Sequence, residues 1–215
     1  MAKEVFLDEE QIRQGVINYP LVFQREGLGL DERTVSALRG KKVLDLGSGH
    51  EPRLVNYLRQ KGVYAEGIDN FVSSSANIIN QQIYPEPIPK TDKSYDLVLA
   101  HCLDVFDFGL TKYSLIRGRI EEMAGIFSVN LEDPKKVAKF IFDEAMRVLK
   151  RDGRLITRPA IDVETSENYE ICRKDIERTA FREEGGAMYT PLVSMFELSE
   201  DFFRFMEQRS IIRKK

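Results

Sequence analysis

Short apolar runs alternate along this chain with stretches in which apolar residues recur at every third or fourth position. The runs predict buried strands at Lys42–Gly47, Tyr64–Asp69 and Tyr95–Ala100. The helical spacing predicts a helix over Pro52–Gln60, between the first two strands. Strands that alternate with helices favour an α/β fold with a largely parallel sheet, because parallel neighbours need a crossover between them.

A second strong helix is predicted further along the chain. Asp133 and Pro134 are typical of a helix cap and a first helical position, and apolar residues follow at helical spacing. Gly153 is predicted to end this helix before a strand at Arg154–Thr157. Weaker patterns predict a helix over Ser74–Asn80, an extended connection at Tyr84–Pro89, a helix through Tyr169, Cys172, Ile176 and Ala180, a strand at Met188–Leu198, a helix over Ser199–Gln208 and an edge strand at Ser210–Ile212.

Composition bounds the class of protein. A chain of 215 residues with 42% hydrophobic and 31% charged residues suits one domain, residues 1–215, which we expect to begin with a helical segment over 1–40. The net charge of −3 supplies no basic field, so nucleic acid is not the expected partner. No apolar run approaches the roughly 20 residues of a membrane helix.

The cysteines and histidines are few. Cys102 and Cys172 show neither a disulfide framework nor paired-ligand spacing. His50 and His101 are too few for a histidine-rich site, so no metal is expected. We therefore expect a cytoplasmic protein that does not bind a membrane.

The loop after the first strand carries the main candidate chemistry. Val43–Gly49 places an acid two positions before a Gly-x-Gly sequence, and glycine lets a ligand approach the backbone closely. The helix that follows points its N-terminus into the same crevice. Three interpretations of this loop are open: it binds a dinucleotide, it binds adenosylmethionine, or it is a tight turn with no ligand. The dinucleotide pattern requires a third small residue where this chain has Pro52, which favours adenosylmethionine.

Asp69 ends the next predicted strand, so it is expected beside this loop at the same edge of the sheet. A carboxylate there can accept hydrogen bonds from both hydroxyls of a ribose. The alternative is a helix cap for the region 73–75, which would give Asp69 a structural role alone.

Four segments resemble, in order and spacing, the motifs of the class I S-adenosylmethionine-dependent methyltransferases. They are Val43–Gly49, Gly67–Asp69, Ser94–Leu99 and Glu144–Ile156. The resemblance implies a Rossmann-like, doubly wound fold, with a mostly parallel seven-stranded sheet and helices on both faces. It also implies methyl transfer from S-adenosylmethionine to an acceptor that these motifs do not name.

Position by position, the resemblance implies a cofactor site. Gly47 and Gly49 would approach the methionine and ribose parts of the cofactor, and Asp45 would hold its amino group. Asp69 would bind the ribose hydroxyls, and His101 would lie beside the transferring methyl. The full set of implied cofactor-binding residues is Asp45, Gly47, Ser48, Gly49, Asp69, Asn70, Gln82 and His101.

Two positions depart from the family pattern. Glu51 stands where a third glycine is common, which narrows the entry to the loop. The acid that commonly precedes an apolar-Pro pair is missing before Ile88–Pro89, where Glu86 is the nearest acid. Gln82 or a backbone group is therefore the candidate for contacting adenine.

Methyl transfer needs alignment of the reacting atoms more than a dedicated catalytic group, because the sulfonium already activates the methyl. His101 and Asp104 are the candidate bases, since both are titratable and close to the expected methyl position. The alternative for His101 is a hydrogen-bonded residue in the pocket wall. Cys102 is interpreted as a packed residue.

Residues 104–132 form a long, apolar-rich segment after the middle strand. We expect a helical flap over the methyl, with Tyr113, Arg117 and Arg119 facing a small- or medium-sized acceptor. The alternative is an outer helix, for example at a homodimer contact.

Four other function classes stay open. They are a nicotinamide-dependent oxidoreductase, which Pro52 disfavours; an aminopropyl transferase, for which the sequence shows no recognisable acidic polyamine pocket; an RNA or protein methyltransferase; and a non-catalytic cofactor-binding subunit of the same fold.

Overall fold

The computed structural model describes residues 21–49, 51–69, 77–101, 134–158, 160–161, 163, 165–175 and 208–215. In chain order its helices and strands are α1 (Leu21–Leu28), α2 (Glu32–Ala37), β1 (Lys42–Leu46), α3 (Arg53–Gln60), β2 (Tyr64–Asp69), β3 (Ile78–Asn80), β4 (Tyr95–His101), α4 (Pro134–Val148), β5 (Leu149–Arg158), β6 (Tyr169–Asp175) and β7 (Gln208–Lys214). In this part of the chain, no helix has the length and apolar character needed to cross a membrane.

Within the described ranges, seven strands form one sheet in the order β3-β2-β1-β4-β5-β7-β6. The first five strands in that order are parallel neighbours. β7 runs antiparallel to both β5 and β6. An α/β fold with a mostly parallel, seven-stranded sheet is therefore confirmed. The chain order changes direction at β1, so the carboxyl ends of β1, β2 and β4 border one crevice.

Separate groups of apolar side chains cover the two faces of the sheet. On one face, α1, α2 and α3 contribute residues such as Leu28 and Leu54, which pack with Val43 of β1. On the other face, α4 supplies residues such as Ile141, which packs with Leu44 of β1. Because successive strand residues point to opposite faces, these two groups show which face each site residue occupies.

The Arg147 side chain fixes the segment that leads into β4. Its guanidinium donates to the carbonyl oxygens of Ile88 at 2.9 Å and Lys90 at 2.8 Å, and to the Glu144 carboxylate at 2.6 Å. Glu144 accepts the Ile88 amide at 2.8 Å, and its hydrogen bonds from Arg147 hold the pKa of the Glu144 carboxyl below its ordinary value. The predicted connection at Tyr84–Pro89 contains neither helix nor strand. The arginine of the Arg-Val-Leu-Lys motif therefore ties a helix to the segment before the middle strand.

Two segments that were expected to be helical form strands, so those predictions are wrong. Ile78–Asn80 forms β3 and pairs with the end of β2. Tyr169–Asp175 forms β6, in which Tyr169 and Ile171, two positions apart, pack against the core. A few apolar residues in a short window fit both a helical and a strand period, and here pairing with a neighbouring strand decides the structure.

The long helix ends earlier than predicted. α4 stops at Val148, and Leu149 already pairs with Tyr95 of β4. The pairing of β5 with β4 is irregular between Leu149 and Arg154, and Asp152 in this part of β5 has a φ of 63°. Gly153 therefore ends no helix: it lies in the irregular part of β5, where a Cβ atom would lie 2.9 Å from a backbone carbonyl oxygen.

The predicted strand at Ser210–Ile212 is present in β7, but it is not an edge strand. β7 lies between β5 and β6, and Gln208, expected to end a helix, is its first residue. An isolated apolar triplet does not show which strands flank it. The predictions that fall on residues 1–20, 70–76, 102–133 and 176–207 lie outside the described residues.

Candidate active site

The loop after β1 turns on two glycines. Gly47 has a φ of 69° and Gly49 a φ of 77°, both in the left-handed region that glycine adopts without strain. The amides of Gly47 and Ser48 donate to the Ile68 carbonyl oxygen, at 2.9 and 3.3 Å. The turn is thus bound to the end of β2, and it brings bare backbone to the crevice at the two glycine positions.

Asp69, the last residue of β2, is part of the same structure. Its Oδ2 atom accepts the Gly49 amide at 2.9 Å. A carboxylate offers about four acceptor positions, so it can accept hydrogen bonds from the hydroxyls of a ligand as well as from the loop. The region 73–75, which Asp69 was alternatively expected to cap, lies outside the described residues.

Asp45 is buried near the end of β1, with 4% of its surface exposed. Burial, and to a lesser extent the negative charge of Asp69, raise the pKa of Asp45 to about 8. A bound cation would stabilise the ionised form of this buried carboxyl group and lower its pKa. The two aspartates therefore form an acidic end of the site that suits a ligand carrying both a positive charge and hydroxyl groups.

Gly67 makes room for Ser48 beside this pair. A Cβ atom at Gly67 would lie 2.6 Å from Ser48 Oγ and 2.8 Å from Ile78 Cδ1. The Ser48 hydroxyl is buried, and it has no hydrogen-bond partner within the described ranges. Since a buried hydroxyl without a partner costs free energy, a ligand that bonds to it would recover that cost.

His101 ends β4 and contacts an arginine at the end of β5. Arg158 Nη1 lies 2.7 Å from His101 Nε2, and the residues are only 1% and 7% exposed. Gly27 of α1 lies directly over them: a Cβ atom there would overlap Arg158 Cδ and lie 3.1 Å from His101 Nε2. The pair is therefore enclosed between the sheet and α1.

Strand alternation places the charged residues of this edge on one face. Asp45 and His101 each lie two residues beyond a side chain of the core group shared with α1, α2 and α3. On β5, Arg158 lies two residues after Ile156 of that group, and on the antiparallel β7, Arg209 lies two residues before Ile211. Along the sheet, the acids Asp69 and Asp45 come first, then His101, then the two arginines. The edge is acidic at one end and basic at the other.

The other residues predicted for the site are either exposed or outside the described residues. The Gln82 side chain is exposed. The neighbouring Gln81 makes the local contacts, and its backbone N–H donates a hydrogen bond of 3.2 Å to the Asp69 carbonyl oxygen. Glu51 is exposed and pairs with Arg53 at 2.6 Å. His50, Asn70 and Asp104 lie outside the described residues. Among the residues that are described, no three His, Cys, Asp or Glu side chains are grouped as metal ligands would be.

Several residues that shape the site were not identified from the sequence. Arg158 was missed because the strand was predicted to end at Thr157, one position too early. Gly27 lies in a helix, where a glycine gives no sign of the distant side chain that it accommodates. Gly67 belongs to a motif that was noticed, but its steric role depends on the fold. A charged residue just after a buried strand is the one signal that could have identified Arg158.

No protein-family model and no curated protein sequence matches the chain. Solved structures do match it, at low identity. A chain of the complex between the Haloferax volcanii Trm112 methyltransferase activator and a methyltransferase is 12% identical, with a TM-score of 0.48 and coverage of 100% of this chain and 99% of that one. A SAM-dependent methyltransferase from Archaeoglobus fulgidus is 14% identical, with a TM-score of 0.39 and coverage of 92% and 100%.

A SAM-dependent methyltransferase from Aquifex aeolicus is also similar. It is 14% identical, with a TM-score of 0.40 and coverage of 97% of this chain and 98% of that one. Because identities and TM-scores are this low, the function of the chain has to be inferred from its own residues.

Proposed function

We propose that the chain is an S-adenosylmethionine-dependent methyltransferase with a Rossmann-like, doubly wound fold. The observation that carries the proposal is the acidic end of the site. Asp45, the last but one residue of β1, and Asp69, the last residue of β2, lie on adjacent parallel strands beside the loop that turns at Gly47 and Gly49. The sequence motifs that resemble this family fall on the same residues.

The residues present fit the cofactor. S-adenosylmethionine carries an ammonium group and a ribose diol, and the buried Asp45 carboxyl, with its pKa of about 8, would gain from contact with the ammonium. Asp69, the last residue of β2 and bonded to the loop at Gly49, supplies a carboxylate of the kind that accepts hydrogen bonds from ribose hydroxyls. Ser48 adds a buried hydroxyl. Each of these groups is complementary to a different part of the same molecule.

Bound there, the cofactor would supply an electrophilic methyl group on a positively charged sulfur. The task of the protein is then to hold that methyl in line with the acceptor and to exclude water. Gly47 and Gly49 keep side chains out of the approach, and α1 covers the edge at His101. The chain's own contribution is positioning, with no covalent intermediate on the protein.

The acceptor side belongs to the proposal as well. We place a small or medium-sized acceptor near His101, with Asp104 as a candidate base, His101 as either a base or a hydrogen-bonded residue of the pocket wall, and residues 104–132 as a covering flap. A cytoplasmic location and a homodimer are part of the same proposal. Gln82 and Asn70 are retained as cofactor contacts.

Calorimetric titration with S-adenosylmethionine, S-adenosylhomocysteine and a nicotinamide dinucleotide tests the cofactor. We expect binding of the first two ligands and none of the third. Asp45→Asn should lose most of the affinity, whereas Asp143→Asn, an exposed substitution on α4, should keep it. Heat from the nicotinamide dinucleotide alone would refute the proposal.

Incubation with methyl-labelled cofactor and pools of small acids, amines, thiols, RNA and protein then tests transfer. Label found in the small-molecule pools would support the proposed acceptor class. Label in RNA or protein would assign a macromolecular acceptor instead. Tight cofactor binding with no transfer to any pool would identify a non-catalytic binding subunit.

A further inference from the structure

The contact between Arg158 and His101 determines which imidazole nitrogen carries the proton. Arginine has five N–H donors and no acceptor, and it stays charged in proteins. At 2.7 Å from Arg158 Nη1, His101 Nε2 must therefore be the acceptor. A neutral imidazole with its lone pair on Nε2 carries its proton on Nδ1, and the ring then has one donor and no second acceptor.

The pair is held in this arrangement by its surroundings. Arg158 is 1% exposed, and the backbone at Gly27 of α1 lies where a side chain would overlap the arginine stem. His101 is 7% exposed, and its Nε2 atom also lies against the Gly27 backbone. The guanidinium thus remains against the imidazole.

The charges on the same face also disfavour a protonated His101. An imidazolium would place a second positive charge 2.7 Å from Arg158, and Arg209 on β7 adds a third positive charge at this end of the site. Arg25 of α1 is bonded to Glu32, away from the pair. Among the residues that the structure describes, the acids on this face are Asp45 on β1 and Asp69 on β2, at the opposite end of the site, together with Glu26 on α1. The backbone oxygen of Glu26 accepts a hydrogen bond from Arg209 at 3.3 Å, so Arg209 also contacts the helix that covers the pair.

We propose that Arg158 is a positioning residue that fixes His101 as a neutral Nδ1–H imidazole, so that His101 donates a hydrogen bond and does not act as a base. Its bearing on the reaction rests on the proposed function. If methyl transfer occurs at this edge, the acceptor atom arrives with a free lone pair, which forms the new bond to carbon. The carbon–sulfur bond breaks with its electrons passing to sulfur, and no proton passes to His101.

Nitrogen-15 NMR of the imidazole tests the proposal directly, because the chain has only two histidines. A His50→Gln background leaves one labelled ring, whose long-range nitrogen–proton couplings identify the tautomer. We expect the Nδ1–H form, and we expect it to persist at a pH about one unit below the ordinary histidine pKa of about 6.5. A ring in the Nε2–H form, or one that is protonated at that pH, would overturn the proposal without any further variant.

Variants at Arg158 separate positioning from general packing. Arg158→Met should release the ring to a mixture of tautomers that is protonated at the lower pH, while Arg158→Lys, which keeps a charged donor, should preserve part of the Nδ1–H form. Arg154→Met removes the same charge from an exposed position of β5 and should leave the spectrum unchanged. A His101 spectrum that is identical in the wild type and in folded Arg158→Met would refute the assigned role.

The cofactor experiments fail or succeed independently of this result. Absence of S-adenosylmethionine binding would remove the proposed function and leave the tautomer assignment intact. If transfer is found, its rate should show no rise attributable to deprotonation of His101, and His101→Gln, which keeps an N–H donor, should retain more activity than His101→Ala. Equal losses in the two variants would contradict a donor role.

Discussion

The Gly49 amide donates to the Asp69 carboxylate across 2.9 Å, so the loop after β1 is tied to the end of β2. Asp69 therefore has a structural bond in the absence of any ligand. A test of its ligand-binding role has to separate the two functions. The amide of asparagine can still accept the Gly49 N–H, whereas alanine cannot.

Asp69→Asn should weaken S-adenosylmethionine binding by about tenfold or more, because charge-assisted bonds to the ribose hydroxyls are lost. Its urea midpoint should stay near that of the wild type, and Asp69→Ala should lose stability as well as affinity. Calorimetry and urea unfolding measure the two effects. Normal affinity in Asp69→Asn would mean that the carboxylate serves the loop alone.

The raised pKa of Asp45 predicts how stability depends on pH. With a folded pKa of about 8 against an ordinary 3.8, the folded protein keeps a proton that the unfolded chain has released between these values. Ligand-free stability should therefore fall as pH rises from about 4 to 8, by about 1.4 kcal/mol per pH unit from this group. Above pH 8 and below pH 4, Asp45 contributes no slope.

Asp45→Asn imitates the protonated acid and should remove this contribution. Denaturant unfolding at several pH values measures it, with Asp143→Asn as the control that keeps the slope. An unchanged slope in Asp45→Asn would contradict the raised pKa. In the wild type near pH 7, cofactor binding should release a proton as Asp45 ionises, which calorimetry in buffers of different ionisation enthalpy detects.

Gly67→Ala should impair the site through overlap with Ser48 Oγ and Ile78 Cδ1. Overpacking of this kind typically costs about 1–3 kcal/mol of unfolding free energy. Ser48→Gly in the same chain removes one of the two clashes and should restore part of the stability, so the two substitutions should be non-additive. Strictly additive effects in urea unfolding would show that the two residues do not interact.

Arg147→Met should destabilise the fold by about 2 kcal/mol or more, because the carbonyl oxygens of Ile88 and Lys90 lose a charged donor. Arg147→Lys should recover little, since an ammonium cannot span these acceptors and the Glu144 carboxylate as a guanidinium does. Arg151→Met, at an exposed position near the start of β5, is the control. Equal urea midpoints for Arg147→Met and Arg151→Met would contradict this role for Arg147.

Much of the sheet was predictable from sequence because its central strands are buried on both faces. A strand buried on both faces has a nearly continuous apolar sequence that does not depend on its neighbours in the sheet. β1, β2 and β4 were predicted from such sequences. The outer strands are less distinctive. β3 has three residues, and β6 exposes most of its positions, so pairing with neighbours determines their structure. A local pattern carries no information about such pairing.

The candidate site divides in a similar way. Asp45, Gly47, Gly49 and Asp69 lie within two short segments at the carboxyl ends of β1 and β2, two strands that the sequence predicts. The contact of His101 with Arg158 joins positions that are far apart in sequence, and Gly27 reaches both from a helix that precedes the whole sheet. Contacts of this kind depend on how helices and strands pack together. Residue types and local hydrophobic periodicity do not predict that packing.

β7 enters the sheet between two strands that precede it in the chain, and this order has a consequence for synthesis. Until β7 has been made, β5 ends the sheet with an open row of backbone donors and acceptors, and β6 lacks its only neighbour in the described part of the sheet. An open edge of this kind recruits other chains. The growing polypeptide therefore passes through a stage at which it is prone to aggregate.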